Sequence, residues 1–349
     1  MSYNKELTFG LDLGDRSLKV LQLSAHGKTT HLRKFGEITL SKDVASNGVP
    51  INEEALARAI REVLRKAGIV ARNVIAALPE AKTFLKLLNI TKNDATLFET
   101  QLRQLIELHI PLSLDEVWWD HQIVNDHELT SEVLLAAAPK TLTASYTSVL
   151  RRAGLTPVAL DLEPLSIARA LIGAPHKDQV VLIADLGATK VTLIAATSYT
   201  VLFTADGGIS SDALSERIAS ELHIEPGNAE QMKKQLGVGN GAPQPYQAVI
   251  KVYLDQLVTG LQRAIAYTHE DGGARPAIAL IMLTGGGSLL SGLPEYLTNT
   301  LKIKTILGDP WINTKDHIGA QIPPTLAPRF STVSGLALAA LRHDVTWLE

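Results

Sequence analysis

Cysteine is absent from the 349-residue sequence, and aromatic residues make up only 5% of it. Without cysteine the chain has no disulfide framework, no thiolate nucleophile and no cysteine-ligated zinc or iron–sulfur site. The scarcity of aromatic rings disfavours the stacking platforms on which single-stranded nucleic acids bind. These absences exclude cysteine chemistry and argue against a nucleic-acid-binding protein.

The sequence also lacks a strong net charge and a long hydrophobic run. Its 33 Lys and Arg residues nearly balance its 36 Asp and Glu residues, so the net charge of −3 offers no basic excess for a phosphate backbone. Apolar runs such as 133–138 are far shorter than the ~20 residues that a membrane-spanning helix needs. The N-terminus lacks the apolar stretch of a signal peptide. We therefore predict a cytoplasmic protein that does not bind nucleic acid.

Apolar strand patterns alternate with amphipathic helical patterns along the whole chain. Short apolar runs at 180–185 and 278–283 indicate buried strands. Residues 53–66 follow the 3.6-residue helical period, with Asn52 at the N-cap position and Gly68 just after the last turn. This alternation predicts a mixed α/β protein, and the chain length suggests about two domains.

The strongest internal signal is a repeated hairpin pattern. The segment LDLGDRSLKV begins at Leu11, and ADLGATKVTL begins at Ala184. Both run apolar, Asp, Leu, Gly, a short polar turn and then Lys-Val, and Asp185 follows Asp12 by 173 residues, about half the chain. The repeat predicts a duplicated domain in which each copy opens with a strand–turn–strand hairpin. Chance similarity of two common hairpins is the alternative.

Each hairpin turn has the composition of an anion-binding loop. Glycine lets backbone amides approach an anion closely, and an aspartate just before it can hold Mg²⁺ through water. Two such hairpins facing each other could bracket the phosphates of a nucleotide. A third loop, Gly285-Gly286-Gly287, follows an apolar run and offers its backbone to a nucleoside, although it could also be only a tight connection. Neither a P-loop nor a dinucleotide fingerprint occurs at the hairpins, because a strand rather than a helix follows each glycine.

These motifs and several longer segments resemble the PilM family of actin-like proteins, which act in type IV pilus assembly. The two D-x-G hairpins and the late glycine triplet are generic to the actin-like ATPases, which include sugar kinases, Hsp70, FtsA and MreB. The segment around His109-Ile110-Pro111 is specific to the PilM family. The resemblance covers nearly the whole chain and is carried by LDLGDRSLKVLQLS, LIELHIPLSLDEVWWDHQIV, VLLAAAPK, RRAGLTPVALDLEPLSIARAL, AEQMKK, LTGGGSLLSGLPEYL and FSTVSGLALAALR.

The resemblance implies an α/β fold of the actin-like type, with two RNase-H-like lobes and smaller inserted subdomains. The first lobe would comprise residues 1–83, 139–175 and 329–349, with an inserted, SHS2-like subdomain at 84–138. The second lobe would comprise residues 176–223 and 270–328, with a helical subdomain at 224–269.

The resemblance also implies a nucleotide site, whose residues are assigned by their match to the family motifs. The first phosphate turn would be formed by Asp12, Gly14, Ser17 and Lys19. The second would be formed by Asp185, Gly187 and Thr189, and Asp12 and Asp185 would hold Mg²⁺. Ribose and base would lie against Glu230 and Lys233, and adenosine against Gly285, Gly286 and Gly287. Lys19 could equally be an ordinary exposed strand lysine, and Glu230 with Lys233 a helical surface pair. No catalytic residue is assigned.

The implied function is that of a binding scaffold with slow or no ATP hydrolysis. The protein would bind ATP and Mg²⁺ and dock the N-terminal cytoplasmic tail of a PilN-like inner-membrane protein. It would link the alignment complex to the assembly motor ATPases at the cytoplasmic face of the inner membrane, and it could oligomerise. The alternatives are the cytoplasmic domain of a type II secretion GspL-like protein, an FtsA-like division protein and an actin-fold kinase.

One departure from the family pattern concerns the first phosphate turn. Related sequences usually place Ser or Thr just after the first D-x-G, whereas this chain has Asp15 and Arg16. A second carboxylate near Asp12 repels phosphate by roughly 1 kcal/mol or more at ~4 Å. Arg16 could offset this repulsion by binding phosphate in a bidentate way. Because of the repulsion between its carboxylate and the phosphates, we expect Asp15 to weaken ATP binding.

Overall fold

The computed structural model describes residues 8–27, 29–91, 95–239, 241–270, 276–314 and 322–342. Residues 1–7 and 343–349, which the predicted first lobe includes, lie outside the described residues. The chain divides into two compact units, each assembled from separate segments. The first unit covers Met1–Ile167, Tyr199–Phe203 and Thr332–Glu349, and the second covers Ala168–Ser198 and Thr204–Ser331.

The elements alternate as the apolar patterns predict. The strands are β1 (Thr8–Leu13), β2 (Ser17–His26), β3 (Thr29–Thr39), β4 (Ala45–Ser46), β5 (Val49–Pro50), β6 (Asn73–Leu78), β7 (Phe84–Thr91), β8 (Val117–Asp126), β9 (Thr130–Pro139), β10 (Thr156–Leu162), β11 (Val180–Leu186), β12 (Val191–Ala196), β13 (Val201–Asp206), β14 (Ile278–Thr284) and β15 (Thr305–Leu307). The helices are α1 (Glu53–Ala67), α2 (Ala95–His109), α3 (Lys140–Arg152), α4 (Glu163–Leu171), α5 (Ser211–Leu222), α6 (Pro226–Leu236), α7 (Gln244–Glu270), α8 (Leu293–Leu301) and α9 (Ser331–Arg342).

A five-stranded sheet of order β3-β2-β1-β6-β10 lies at the centre of the first unit. β1 pairs antiparallel with β2 and parallel with β6, and β10 continues the parallel part. β1 and β6 are buried along almost their whole length, because helices cover both faces of the sheet. On one face the core includes Leu11 of β1, Ile60 of α1 and Tyr146 of α3. On the other face Ile75 of β6 packs against Leu336 of α9.

The second unit contains a sheet of the same design. Its order is β13-β12-β11-β14-β15, in which β11 pairs antiparallel with β12 and parallel with β14. The register at the hairpins is also the same, because Asp12 lies opposite Lys19 and Asp185 lies opposite Thr192. The predicted duplication is therefore confirmed in strand order and register. The two Lys-Val pairs in the sequence do not occupy equivalent positions in the structure, because the structural counterpart of Lys19 is Thr192.

A smaller three-stranded antiparallel sheet of order β7-β9-β8 belongs to the first unit. Helix α2 packs on one face of it, where Leu102 and Ile106 join a core with Leu88 and Val133. β7 and β8 are its edge strands. In the described part of the chain, no helix is both long and apolar enough to cross a membrane.

Candidate functional site

The first hairpin turn places a buried ion pair between β1 and β2. Lys19 Nζ lies 3.2 Å from Asp12 Oδ2, and only 7% of Lys19 and 6% of Asp12 is exposed. Buried charges of this kind need a partner, and each residue provides it for the other. The alternative of an exposed strand lysine is therefore wrong for Lys19, which is buried. A phosphate at Lys19 or a metal ion at Asp12 would therefore have to share or reorganise this pair. The turn itself is closed by the Gly14 amide, which donates to the Ser17 carbonyl at 3.0 Å.

Asp15, the departure from the family pattern, supports a neighbouring loop. Its Oδ1 accepts a hydrogen bond of 2.8 Å from the amide of Gly48, in the turn between β4 and β5. Tyr146 of α3 donates its hydroxyl proton to the carbonyl of the same Gly48. The side chain of Arg16 donates to the Asp15 carbonyl at 3.2 Å. Asp15 is thus part of a hydrogen-bonded connection from the first hairpin turn to α3.

The environment of Tyr146 shows that negative charge collects near this turn. Burial raises the pKa of Tyr146 well above its usual value, and the charges of Glu163, Asp12 and Asp15 raise it further. The tyrosine therefore stays protonated and acts as a hydrogen-bond donor. The expected repulsion of a phosphate by Asp15 stays a prediction.

The second hairpin is built like the first. A Cβ on Gly187 would lie 2.7 Å from the Lys190 carbonyl oxygen, as a Cβ on Gly14 would lie 3.2 Å from that of Ser17. In both turns, glycine is needed because a carbonyl three residues later approaches it closely. Asp185 is partly buried at the end of β11, and Thr189 is exposed in the turn.

The glycine triplet packs directly on the second hairpin. Gly285 has a φ of +79°, and a Cβ there would lie 2.5 Å from Asp185 Oδ1 and 2.7 Å from the Leu186 carbonyl oxygen. Gly287 also approaches Leu186, whereas no described atom lies within 4 Å of where a Cβ of Gly286 would be. The structure therefore brings the predicted triplet and the predicted metal ligand together in the second unit. It leaves the backbone at Gly286 open to a ligand.

The A-E-x-x-K pair lies on α6 and turns toward α5. Lys233 is 6% exposed, and its Nζ lies 2.7 Å from Glu230 Oε2. The same Nζ contacts two serines of α5, at 2.8 Å from Ser211 Oγ and 2.7 Å from Ser215 Oγ. These serines were missed by the sequence reasoning, since their distance from Lys233 along the chain hides the contact. The surface-pair alternative is wrong for Lys233, which is buried, while Glu230 is partly exposed.

Glu230 is held in its charged form by these neighbours. Burial alone would raise the pKa of Glu230, but hydrogen bonds from Lys233 and Ser215 and the charge of Lys233 lower it overall. The hydroxyl of Ser215 lies 2.6 Å from Glu230 Oε2, and Lys234 Nζ lies 3.2 Å from Glu230 Oε1. Glu230 is therefore an anion that organises three donors.

A preassembled metal cluster is absent from the part of the chain that the structure describes. No three or more His, Asp or Glu side chains there are grouped so that they could hold a metal ion. Mg²⁺ keeps several of its waters and often uses only one or two protein carboxylates together with substrate phosphates. Asp12 and Asp185 have the right chemistry for that mode, and their metal role stays a prediction.

The family model described as "Type IV pilus assembly protein PilM" matches residues 10–341. The chain belongs to the PilM family. A solved structure titled "PilM-PilN type IV pilus biogenesis complex" superposes with a TM-score of 0.83 at 25% identity, covering 97% of this chain and 100% of that one.

This PilM-family chain is also similar to two other solved structures, which share its fold, and to the sequence of a cell division protein. MreB5 of Spiroplasma citri bound to ADP has a TM-score of 0.56 at 13% identity, covering 95% of each chain. EutJ of Carboxydothermus hydrogenoformans has a TM-score of 0.58 at 16% identity, covering 95% of this chain and 88% of that one. Cell division protein FtsA of Neisseria meningitidis is 23% identical over 345 residues, which is 85% of this chain and 81% of FtsA. The predicted family and actin-like α/β fold are confirmed.

Proposed function

We propose that this PilM-family protein is a nucleotide-binding scaffold that docks the cytoplasmic tail of a PilN-like inner-membrane protein. The observation that carries the proposal is the match to the solved PilM–PilN complex, which extends over 97% of the chain. The scaffold works at the cytoplasmic face of the inner membrane and connects the alignment complex to the assembly motor ATPases. It can oligomerise there.

The nucleotide is ATP with Mg²⁺, and each hairpin supplies phosphate-binding groups. Asp12, Gly14, Ser17 and Lys19 act in the first turn, and Asp185, Gly187 and Thr189 act in the second. Asp12 and Asp185 hold Mg²⁺, and at Asp12 the metal ion has to share or reorganise the ion pair with Lys19. Adenosine lies against the glycine triplet, at the open backbone of Gly286.

ATP acts mainly as a conformational ligand, with slow or no hydrolysis. Fast hydrolysis needs a group that positions the attacking water at the terminal phosphate. The residues proposed for the site hold Mg²⁺ or contact the phosphates and the nucleoside. Binding energy alone can still shift the population of two conformations, provided that ATP prefers one of them.

The tail docks on the small sheet of the first unit. β8 is an edge strand, and an extended peptide can pair with the backbone of such an edge while its side chains enter apolar pockets. Trp118 of β8 is 51% exposed and provides a flat apolar wall. Lys140 Nζ lies 4.7 Å from the centre of the Trp118 ring and holds one side of it.

Calorimetry with Mg²⁺–ATP tests the nucleotide part of the proposal. Asp185→Ala should abolish Mg²⁺-dependent affinity while its circular dichroism and melting stay close to those of the parent. Asp255→Ala is a charge-matched control, because Asp255 is exposed on α7 and pairs with Lys251. An Asp185→Ala variant that binds Mg²⁺–ATP as tightly as the parent would show the assignment to be wrong.

Titration with the isolated N-terminal tail of the PilN-like protein tests the docking part separately. The full-length chain should bind the tail, and Trp118→Ala should weaken binding because it removes the apolar wall. Leu326→Ala, at an exposed leucine of the second unit, is the control. Absence of tail binding to the parent protein would overturn the docking proposal and leave the nucleotide proposal standing.

A further inference from the structure

We propose that Lys233 is a positioning residue that fixes the second phosphate turn through the start of α5, rather than a direct ligand of the ribose. The inference deepens the proposed nucleotide site and rests on it, because it states how one of the site residues acts. It is carried by a continuous set of contacts from α6 through α5 to the turn, all within the second unit.

The three N–H donors of Lys233 already have partners within the protein. An ammonium group has three protons to donate. Lys233 Nζ lies within 3.0 Å of four acceptor atoms, which are Glu230 Oε2, Ser215 Oγ, Ser211 Oγ and the Ser211 carbonyl oxygen. Its side chain is 8% exposed. A ribose hydroxyl would have to replace one of these partners in a buried position, where an unmatched polar group is costly.

Two backbone hydrogen bonds connect the start of α5, which Lys233 contacts, to the turn. The amide of Ser211 donates to the Gly187 carbonyl at 3.2 Å, and the amide of Asp212 donates to the Ala188 carbonyl at 2.9 Å. These amides lie in the first turn of α5, where no intrahelical acceptor exists for them. Lys233 contacts both the carbonyl and the hydroxyl of Ser211. It therefore holds the peptide segment that orients the turn.

The hydrogen bonds from α5 orient the backbone amides of the turn toward an anion. In a trans peptide the C=O and N–H bonds point in opposite directions. Because α5 binds the carbonyls of Gly187 and Ala188, the amides of Ala188 and Thr189 point away from α5. Amides turned to a common side form the kind of concavity that binds phosphate. Loss of the lysine would let the start of α5 and the turn move apart, and the amides would lose their common direction.

The neighbouring lysine provides a matched control. Lys234 contacts the same carboxylate, with Nζ 3.2 Å from Glu230 Oε1, but its side chain is 71% exposed. Its contact with Glu230 lies on the outer surface of α6. Lys234→Met and Lys233→Met remove the same charge and the same type of contact from adjacent positions. Only Lys233→Met removes the contacts with Ser211 and Ser215.

Residue-resolved hydrogen exchange without nucleotide tests the connection itself. Lys233→Met should speed exchange of the Ser211 and Asp212 amides by about tenfold, as expected when a charge-assisted contact that closes the segment is lost. Lys234→Met should leave both amides at parental rates. Equal protection of these amides in Lys233→Met and in the parent would overturn the inference. This measurement stays valid even if the parent fails to bind ATP, which would contradict the proposed function instead.

Binding of three nucleotides separates positioning from ribose contact. Titrations use Mg²⁺ complexes of ATP, 2′-deoxy-ATP and 3′-deoxy-ATP. If Lys233 positions the phosphate turn, Lys233→Met weakens all three by the same factor, again about tenfold. If it binds a ribose hydroxyl, the effect shrinks for the analogue that lacks that hydroxyl, and this result would overturn the inference. Parental affinity for all three nucleotides would overturn it as well.

A milder variant keeps the test decisive if Lys233→Met does not fold. Ser215→Ala retains the lysine and removes one of its acceptors, which lies 2.7 Å from Nζ. It also removes the contacts of the Ser215 hydroxyl with the Ser211 carbonyl oxygen, at 3.1 Å, and with Glu230 Oε2, at 2.6 Å. It should speed exchange at Ser211 and Asp212 by a few-fold and weaken all three nucleotides equally. Thr259→Ala on α7 removes a hydroxyl that bonds only within its own helix turn, to Asp255, and serves as the control. Unchanged exchange and binding in a folded Ser215→Ala protein would count against the proposal.

Discussion

Single side chains make the two similar hairpins chemically different. In the first, the cross-strand partner of the aspartate is a buried lysine, so the charge of Asp12 is compensated before any ligand arrives. In the second, the residue opposite Asp185 is Thr192, which is neutral. The same register position thus holds a lysine in one unit and a threonine in the other. A metal ion at Asp12 would have to share or reorganise the ion pair with Lys19.

Alanine substitutions in the glycine triplet distinguish a ligand surface from a structural glycine. Gly286→Ala should leave the free energy of unfolding within about 0.5 kcal/mol of the parent, because open space surrounds the new methyl group. It should weaken Mg²⁺–ATP binding several-fold, since adenosine is proposed to rest there. Gly285→Ala should destabilise the protein by about 1–3 kcal/mol because of its φ of +79° and its contact with Asp185. Denaturant unfolding and calorimetry measure both effects, and parental ATP affinity in Gly286→Ala would move adenosine to another surface.

Substitution of Asp15 tests whether its charge opposes the nucleotide. The charge argument alone predicts that Asp15→Ser tightens ATP binding by up to about tenfold. The structure adds a second effect, because the Gly48 amide loses its acceptor, at a cost of about 1–3 kcal/mol in stability. Asp15→Asn removes the charge and keeps an Oδ1 acceptor, so it should tighten binding without the loss of stability. Calorimetry and unfolding of both variants separate the effects, and weaker ATP binding by Asp15→Asn would mean that Asp15 helps to hold the metal.

The packing of α9 depends on two glycine contacts with the rest of the first unit. A Cβ on Gly335 would lie 1.8 Å from the Ser166 carbonyl oxygen, and one on Gly10 of β1 would lie 2.8 Å from Leu336 Cβ. Gly335→Ala should therefore destabilise the protein by about 1–3 kcal/mol, because backbone rather than a flexible side chain must move. Gly227→Ala on α6 is the control, since nothing lies near its added methyl group. Equal unfolding free energies for the two variants would contradict the close packing of α9.

The end of α2 should respond to pH through His109. Lys86 Nζ lies 3.1 Å from His109 Nδ1, and burial, followed by the charge of Lys86, lowers the pKa of His109 below its usual 6.5. The folded state therefore prefers the neutral ring. Its contribution to stability is complete above pH ~6.5 and falls as the pH drops toward the lowered pKa. After correction for intrinsic rates, hydrogen exchange in α2 should become faster as the pH is lowered from 7.5 to 5.5. His109→Gln should remove this pH-dependent acceleration. An NMR titration that places the pKa of His109 at or above 6.5 would contradict this.

Local patterns predicted some elements well and missed others. Helix α1 begins where Asn52 Oδ1 accepts from the Ala55 amide at 3.0 Å and ends at Gly68, whose φ is +65°. Both signals lie within a few residues of the helix, so the sequence is enough to locate them. β3 has no such signal, because its residues are mostly polar and half-exposed. It forms because β2 offers an unpaired edge, and that edge exists only in the assembled sheet.

The whole chain combines two units of the same sheet order with a small sheet that belongs only to the first. The proposed tail-binding sheet lies in the first unit, and Asp185 lies in the second. Tail binding should therefore survive Asp185→Ala, with any loss limited to an allosteric coupling of ~1–3 kcal/mol. It should fall sharply when residues 84–138 are replaced by a short linker. Calorimetry measures both, and undiminished tail binding after that replacement, in a protein that circular dichroism shows to be folded, would move the docking site to the second unit.

The sequence by itself determined the α/β class, the family, the repeated hairpin and the glycine triplet. Each of these features depends on residues that are close together along the chain, because turn geometry and hydrophobic periodicity are local properties of the sequence. The tertiary structure alone decided which partners the charged groups take. Asp15 bonds to Gly48, which is 33 residues away along the chain, and Lys233 bonds to Ser211, which is 22 residues away. Such contacts depend on how strands and helices pack, because burial forces each polar group to find whichever partner the fold brings within hydrogen-bonding distance.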